Sequence, residues 1–167
     1  MKSFEVRNNG CQVVDMYGVV FTKKGNIAVT VYGGNSILIY SKEGTHIRTI
    51  ALMGDARGLA ADQKGNLYMC IELKCLVCVY TEEGKLKLQF GSKGKGNGKF
   101  ETPYDIAVGM NGLIYVCDHS NMRIQVFNGE GKYAYHLETK QLCFQLCVLH
   151  DGYLIIAEGR KRHSVCV

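Results

Sequence analysis

The sequence predicts an all-β chain that folds as about four blades of a β-propeller. Three observations support this prediction: a repeat of about 40 residues, turn glycines in a constant register, and short apolar runs rich in β-branched residues. No segment shows a sustained helical period. Four short antiparallel strands in about 40 residues have the size of one propeller blade.

Turn glycines mark the repeat. The first set lies 40, 47 and 40 residues apart, at Gly25, Gly65, Gly112 and Gly152. In the first three repeats a second glycine follows 19 residues later, at Gly44, Gly84 and Gly131. Lys-Gly-Asn, Asn-Gly and Asp-Gly sequences supply the positive φ that tight hairpins need. The longer second spacing, from Gly65 to Gly112, comes from extra residues in one loop, 92–99.

Each repeat divides into three apolar strands, and in the first three repeats an alternating fourth strand follows. We expect blades at about 14–50, 54–90, 101–137 and 142–167. The last repeat stops after its third strand, and residues 4–7 are the candidate for a fourth strand that closes it. Blade edges without such a partner would favour self-association.

Composition favours a single globular domain, with 47% hydrophobic and 21% charged residues. No run approaches the roughly 18 apolar residues of a membrane span, so no membrane partner is expected. Residues 1–7 lack the apolar centre of a signal peptide, which predicts a cytoplasmic chain whose eight cysteines are reduced. The net charge of +5 permits an anionic partner without requiring one.

The third repeat carries a specific motif. It runs from Phe90-Gly91 through Pro103-Tyr104-Asp105-Ile106-Ala107-Val108 to Asn121-Met122-Arg123-Ile124 and Gly131-Lys132. This segment resembles an NHL repeat, which is named for an Asn-His-Leu signature, although Met122 replaces the histidine here. It is most similar to the C-terminal propellers of tripartite-motif (TRIM-NHL) ubiquitin ligases. Those propellers usually have six blades, so the resemblance implies an incomplete or contracted propeller.

By this resemblance the chain is expected to be a non-catalytic scaffold that recognises a protein or single-stranded RNA. A parent protein of this kind would be a RING-type ubiquitin ligase, with the propeller recruiting its targets. One alternative is a propeller hydrolase or lyase. Another is a fragment of a larger TRIM-NHL protein that has no function of its own.

The candidate binding surface is the top face, formed by the loops that enter each first strand and those that join second to third strands. Equivalent positions at the start of the first strands hold Tyr17, Arg57, Tyr104 and Phe144. Further candidates are basic: Lys93, Lys95, Arg123, Arg160, Lys161 and Arg162. Aromatic rings and cations of this kind bind bases, phosphates or peptide side chains. The rings could instead seal the central channel, and Arg123 could pair with Asp118 as a structural ion pair.

Other chemistry finds little support in the sequence. The glycine-rich loop around Gly96 is followed by a strand rather than a helix, which favours a flexible linker over a phosphate-binding loop. Cys75 and Cys78 have metal-ligand spacing, but on a strand they point to opposite faces. No histidine falls in a first strand. We therefore expect no cofactor, no metal and no catalytic residues.

Overall fold

The computed structural model describes residues 7–8, 11–12, 16–31, 33–159 and 163–166, with side chains described over 16–31 and 33–159. Blade 1 consists of β3 (Met16–Phe21), β4 (Ile27–Val31), β5 (Ser36–Tyr40) and β6 (His46–Ala51). Blade 2 consists of β7 (Ala56–Ala61), β8 (Asn66–Ile71), β9 (Leu76–Thr81) and β10 (Leu86–Phe90). Blade 3 consists of β11 (Pro103–Val108), β12 (Ile114–Asp118), β13 (Arg123–Phe127) and β14 (Tyr133–Glu138). Blade 4 has three strands in the described residues, β15 (Cys143–Val148), β16 (Leu154–Gly159) and β17 (His163–Cys166).

Each blade is an antiparallel sheet whose strands pair in chain order. The two short strands β1 (Arg7–Asn8) and β2 (Cys11–Gln12) pair with each other. The only helical segments in the described chain are single 3-10 turns at Glu72–Lys74 and His119–Asn121. The all-β prediction and the four-blade arrangement are thereby confirmed. Residues 4–6 of the candidate closing strand lie outside the described residues, so that closure stays a prediction.

The predicted turns form where the glycines lie. Gly25, Gly65, Gly112 and Gly152 have φ of 77°, 87°, 78° and 91°. In each turn the glycine N–H donates to the carbonyl three residues earlier, as from Gly25 to Thr22 at 2.9 Å. A positive φ of this size is strained for a residue with a Cβ, which explains the constant register of these glycines.

The blades pack face to face through apolar side chains. Alternate residues of β8 point to opposite sides: Leu67, Met69 and Ile71 pack against blade 1, while Tyr68 and Cys70 pack against blade 3. A third buried cluster joins blades 3 and 4. Because the central strands are buried on both faces, they are apolar almost throughout rather than alternating. Among the described residues no helix is long and apolar enough to cross a membrane.

The innermost strands β3, β7, β11 and β15 adjoin one another in that order. Gly18 and Gly58 occupy equivalent positions on the first two of them, and each faces the next blade. A Cβ on Gly58 would lie 2.6 Å from Asp105 Cα and 2.8 Å from Ile106 N. A Cβ on Gly18 would lie 2.6 Å from Leu59 Cβ. These positions require glycine because two backbones meet there, not because of a special φ.

Blade 1 leaves the other side of its inner strand uncovered. Gly18 and Val20 face blade 2, whereas the alternate residues Val19 and Phe21 are 68% and 73% exposed. This apolar surface is compatible with the self-association predicted from the sequence, which stays a prediction.

We predict that Gly58→Ala lowers the free energy of unfolding by on the order of 1–3 kcal/mol, because the new methyl group overlaps backbone atoms that cannot rotate away. Urea denaturation monitored by circular dichroism measures the change. Gly96→Ala is the matched control, since a Cβ there has Lys99 Cδ at 3.8 Å as its nearest neighbour. Equal effects of the two substitutions would contradict the close-approach explanation.

Candidate partner-binding face

Five side chains from the four blades form a continuous line on the top face. We call it the aromatic–arginine row: Tyr17, Arg57, Tyr104, His119 and Phe144. The Arg57 guanidinium carbon lies 4.8 Å from the Tyr17 ring centroid and 4.5 Å from the Tyr104 centroid. Tyr104 stacks on His119 at 5.0 Å and meets Phe144 edge-on at 5.7 Å. The structure thus brings together all four residues that the repeat register placed at equivalent positions.

Arg57 is the fixed element of the row. Its Nε donates to Glu72 Oε2, and Glu72 lies in the 3-10 turn that joins β8 to β9. Burial alone would lower the pKa of Arg57, but hydrogen bonding and charge attraction from Glu72 outweigh it and raise the pKa. The Arg57 carbonyl also accepts a hydrogen bond from Thr30 Oγ1 at 3.1 Å. Arg57 therefore stays charged and fixed between the two tyrosines, an arrangement that favours cation–π attraction.

His119 is a member of the row that sequence reasoning did not select. It begins the 3-10 turn between β12 and β13, and its ring lies 4.6 Å from that of Phe144. Its Nδ1 is 2.8 Å from the Cys143 carbonyl. Its position in a top-face loop was the only feature of the sequence that could have indicated a role on this face. No neighbouring residue in the sequence indicates that the His119 side chain reaches blade 4.

The row is only partly covered. Tyr17 is 40% exposed, and the Arg57 side chain is 20% exposed. Tyr104 and Phe144 are half-buried. The rings therefore pack against one another and remain partly exposed, so that this part of the top face is partly apolar.

Arg123 does not belong to this surface. Its Nε donates to Asp118 Oδ2 at 3.0 Å, and its NH2 group donates to the carbonyls of Gly96 and Lys99. Arg123 is 6% exposed and Asp118 is fully buried. The structural ion pair that the sequence offered as the alternative is confirmed, and the Arg123 side chain is almost completely buried.

The Asp118–Arg123 pair organises the glycine-rich loop. Gln125 Nε2 donates to the Lys99 carbonyl at 2.6 Å, and Gln125 Oε1 accepts from Gly98 N at 2.9 Å. Asn121 Nδ2 donates to Asp118 Oδ2 at 2.7 Å and lies 3.2 Å from the Gly94 carbonyl. The loop is therefore held by the third repeat's polar motif and is not the free linker that its composition favours.

Two of the remaining basic candidates are exposed, and the other three lie outside the described residues. Lys93 and Lys95 are exposed on the loop, and Lys93 Nζ lies 3.9 Å from Glu101. Arg160, Lys161 and Arg162 lie outside the described residues. Of the residues predicted to bind a partner, those in the row and these loop lysines are the ones that the structure leaves at least partly exposed.

The cysteines whose side chains the structure describes are buried free thiols, with one exception. Cys75 packs between blades 2 and 3, while Cys78 packs between blades 1 and 2, so the pair faces opposite ways as expected. Cys70, Cys117 and Cys143 are also buried free thiols, and burial raises the pKa of Cys78 to about 11. Cys147 is the exception and is exposed. No cluster of three or more metal-binding side chains occurs in the described residues.

Asp105 lies beneath the row on β11, at the position that glycine holds on β3 and β7. Its Oδ2 accepts a hydrogen bond from Leu146 N at 2.8 Å, which links the inner strands of blades 3 and 4. Burial raises the pKa of Asp105 to about 6, and hydrogen bonds from the N–H groups of Leu146 and Ile106 offset part of that effect.

Replacing Arg123 tests the buried ion pair. Arg123→Met should lower the free energy of unfolding by about 3–5 kcal/mol, because it leaves the buried Asp118 carboxylate without its cation. Urea denaturation at pH 7 measures the loss. Lys132→Met, on an exposed pair with Glu130, is the control and should change stability little. A loss below about 1 kcal/mol at Arg123 would show that the pair does not hold the loop.

The pH dependence of stability tests Asp105. Because its folded pKa lies above its unfolded value of 3.8, the native state binds more protons between about pH 4 and 6. Stability should therefore fall as the pH rises through that window, by at most about 3 kcal/mol. Asp105→Asn should remove this pH-dependent part of the stability. Comparing the unfolding free energies of the two proteins at pH 4 and at pH 7 measures the effect. Parallel pH profiles would contradict the assignment.

Comparison with known proteins agrees with this architecture. A sequence model of the NHL repeat matches residues 100–127. The E3 ubiquitin-protein ligase TRIM71 of Mus musculus is 44% identical over 54 residues, which are 32% of this chain and 6% of that protein. The chain thus spans a small part of the curated relatives it matches.

Solved structures resemble the chain over most of its length. The WD40 beta propeller domain of Doa1 superimposes with a TM-score of 0.70 at 14% identity, over 92% of this chain and 53% of that one. A catalytically inactive virginiamycin B lyase from Staphylococcus aureus gives 0.72 at 18% identity, over 98% and 58%. Identities this low show the fold alone. The chain therefore folds as a β-propeller, and its third blade matches the NHL repeat over residues 100–127.

Proposed function

We propose that this chain is a non-catalytic protein-binding scaffold whose top face recognises a peptide segment of its partner. The observation that carries the proposal is the aromatic–arginine row, which joins side chains of all four blades into one partly exposed line. Aromatic rings and arginine dominate the energetics of protein recognition because they combine apolar area with directed polar groups. The likeness to an E3 ubiquitin-protein ligase suggests that the partner is a ubiquitination target.

A peptide fits the row better than single-stranded RNA. Stacking of a base needs a free ring face, but Tyr104 already has Arg57 over its ring and His119 stacked on it. RNA also needs cations to neutralise phosphates. Arg57 is paired with Glu72, and Arg123 is buried, so two of the predicted cations are committed to the fold.

A catalytic function as a hydrolase or a lyase has weaker support than peptide binding. The exposed edges of the row come from tyrosine, arginine and phenylalanine, which supply no general base at neutral pH. His119 is the one imidazole in the row, and its ring stacks on Tyr104 and meets Phe144 edge-on rather than a nucleophile. The lyase-like structures are similar at a level that carries the fold only.

Selection from a phage-displayed random peptide library, followed by titration of the selected peptides, tests the proposal. Phe144→Ala and Tyr17→Ala should each weaken binding by roughly 30-fold or more, as expected when an interface residue contributes about 2 kcal/mol. Lys132→Ala, on the opposite face, should bind as the unchanged chain does. Thermal unfolding of each variant establishes that the fold is retained.

Two outcomes would overturn the proposal. If single-stranded RNA binds with an affinity that falls steeply with salt and depends on Tyr104, the face is an RNA-binding surface. If selected peptides bind equally well to Phe144→Ala and to Lys132→Ala, the row does not recognise them.

A further inference from the structure

A groove of about 730 Å³ opens on the face opposite the row, between blades 2 and 3. It is bordered by the first hairpin turns of blades 2, 3 and 4 and by the second hairpin turn of blade 3. We call it the lower groove. Its apolar wall includes Val79, Leu88, Val108, Met110 and Leu149. The proposed function makes no use of it.

The repeat shows what occupies the same place at the neighbouring boundary. Between blades 1 and 2, Glu82 extends from the second turn of blade 2 to the first turn of blade 1. Its Oε1 accepts from Asn26 Nδ2 at 2.6 Å, and Glu82 is only 4% exposed. Beside it Lys24 Nζ pairs with Glu83 at 2.5 Å. A carboxylate and a lysine ion pair thus fill that boundary.

Between blades 2 and 3 the equivalent carboxylate is missing. Glu82 corresponds to Gly129 in the repeat register, and Asn26 corresponds to Asn66, which lines the lower groove. Lys64 stands in the register of Lys24. Glu130, in the register of Glu83, pairs at 2.8 Å with Lys132 rather than with Lys64. The lower groove is the space that a glutamate side chain fills one boundary earlier.

Charges along the groove suit an incoming carboxylate. Lys64 and Lys87 both line it, and Lys87 Nζ donates to Asn66 Oδ1 at 2.8 Å. Two acids also line the groove, Asp62 and Glu130, and Glu130 is paired with Lys132. The Asp62 carboxylate already accepts hydrogen bonds from the N–H groups of Lys64 and Asn66, from Asn66 Nδ2 and from Tyr68 OH. These bonds hold the pKa of Asp62 below its usual range although burial opposes them. Its charge is thus met by internal donors, which leaves Lys64 and the remaining N–H groups of Lys87 for a ligand.

We propose that the lower groove binds an acidic side chain of a peptide, flanked by apolar residues. The carboxylate takes the place that Glu82 takes between blades 1 and 2, near Asn66 and Lys64. The neighbouring apolar residues contact Leu88, Met110 and Leu149. This is a second recognition site on the face opposite the aromatic–arginine row.

The test uses synthetic blocked peptides with a glutamate between two leucines, compared with the same peptides carrying glutamine. In titrations of the isotope-labelled chain followed by nuclear magnetic resonance, the glutamate peptides should shift the amides of Asn66, Gly112 and Gly129. The glutamine peptides should bind at least about tenfold more weakly, since they lack the charge that Lys64 and Lys87 attract.

Gly129→Glu is the decisive variant, because it supplies the missing carboxylate from the chain itself. Gly129 is not a positive-φ glycine, and a Cβ there meets nothing closer than the Gly112 carbonyl oxygen at 3.8 Å, so the residue fits. The variant should keep its thermal unfolding midpoint and lose peptide binding. Gly129→Ala, the matched control, should bind as the unchanged chain does.

Three results would overturn the proposal: no shifts with glutamate peptides, equal affinity for glutamine peptides, or full binding by Gly129→Glu. Tyr17→Ala separates the two sites, because it should weaken top-face binding and leave binding to the lower groove unchanged. If the row fails its own test, the outcome of these titrations is unaffected.

Discussion

The close approach of the inner strands is the constraint on which the rest of this structure depends. At Gly58 the backbone of one blade meets the backbone of the next, and Gly18 allows the same contact one blade earlier. The residue before each glycine is then placed beside its counterpart in the adjacent blade. Tyr17, Arg57 and Tyr104 come within cation–π distance for this reason. The geometry of the top face thus follows from a packing requirement beneath it.

Blade 3 meets the same constraint with different chemistry. Asp105 replaces the glycine, and its carboxylate accepts a hydrogen bond from Leu146 N of blade 4. The inner strands of blades 3 and 4 are therefore joined by a polar contact, whereas those of the earlier blades meet by close packing at glycine. Ionising a mostly buried carboxylate costs free energy because the charge loses its hydration, and this raises the pKa of Asp105. The same blade carries the Asp118–Arg123 pair and the loop it holds. The polar residues that make the third repeat recognisable as an NHL repeat are therefore used mainly to hold its loops.

The repeat register locates the aromatic–arginine row, whereas a departure from the repeat locates the lower groove. Glu82 closes one interblade boundary, and Gly129 leaves the next one open. Lys24 is paired across a boundary, whereas the glutamate equivalent to its partner pairs with Lys132 instead. In a repeat protein each position can be compared with the same position in the neighbouring repeats. Where one repeat lacks a side chain that its neighbour has, the comparison shows which chemical group is missing.

The sequence by itself determined the strands, the turns and the number of blades, because these depend on local information. A glycine with positive φ and an apolar run of four to six residues act within a few positions of the chain. It also determined which four residues lie at equivalent positions near the start of the inner strands, since equal register means equal position around the axis. Only the tertiary structure decided that Arg123 is buried, that His119 joins the row, and that Gly129 leaves a groove. His119 and Arg123 have hydrogen-bond partners 24 to 27 residues away in the chain, and the groove depends on two blades lying side by side. No local pattern specifies contacts of this kind.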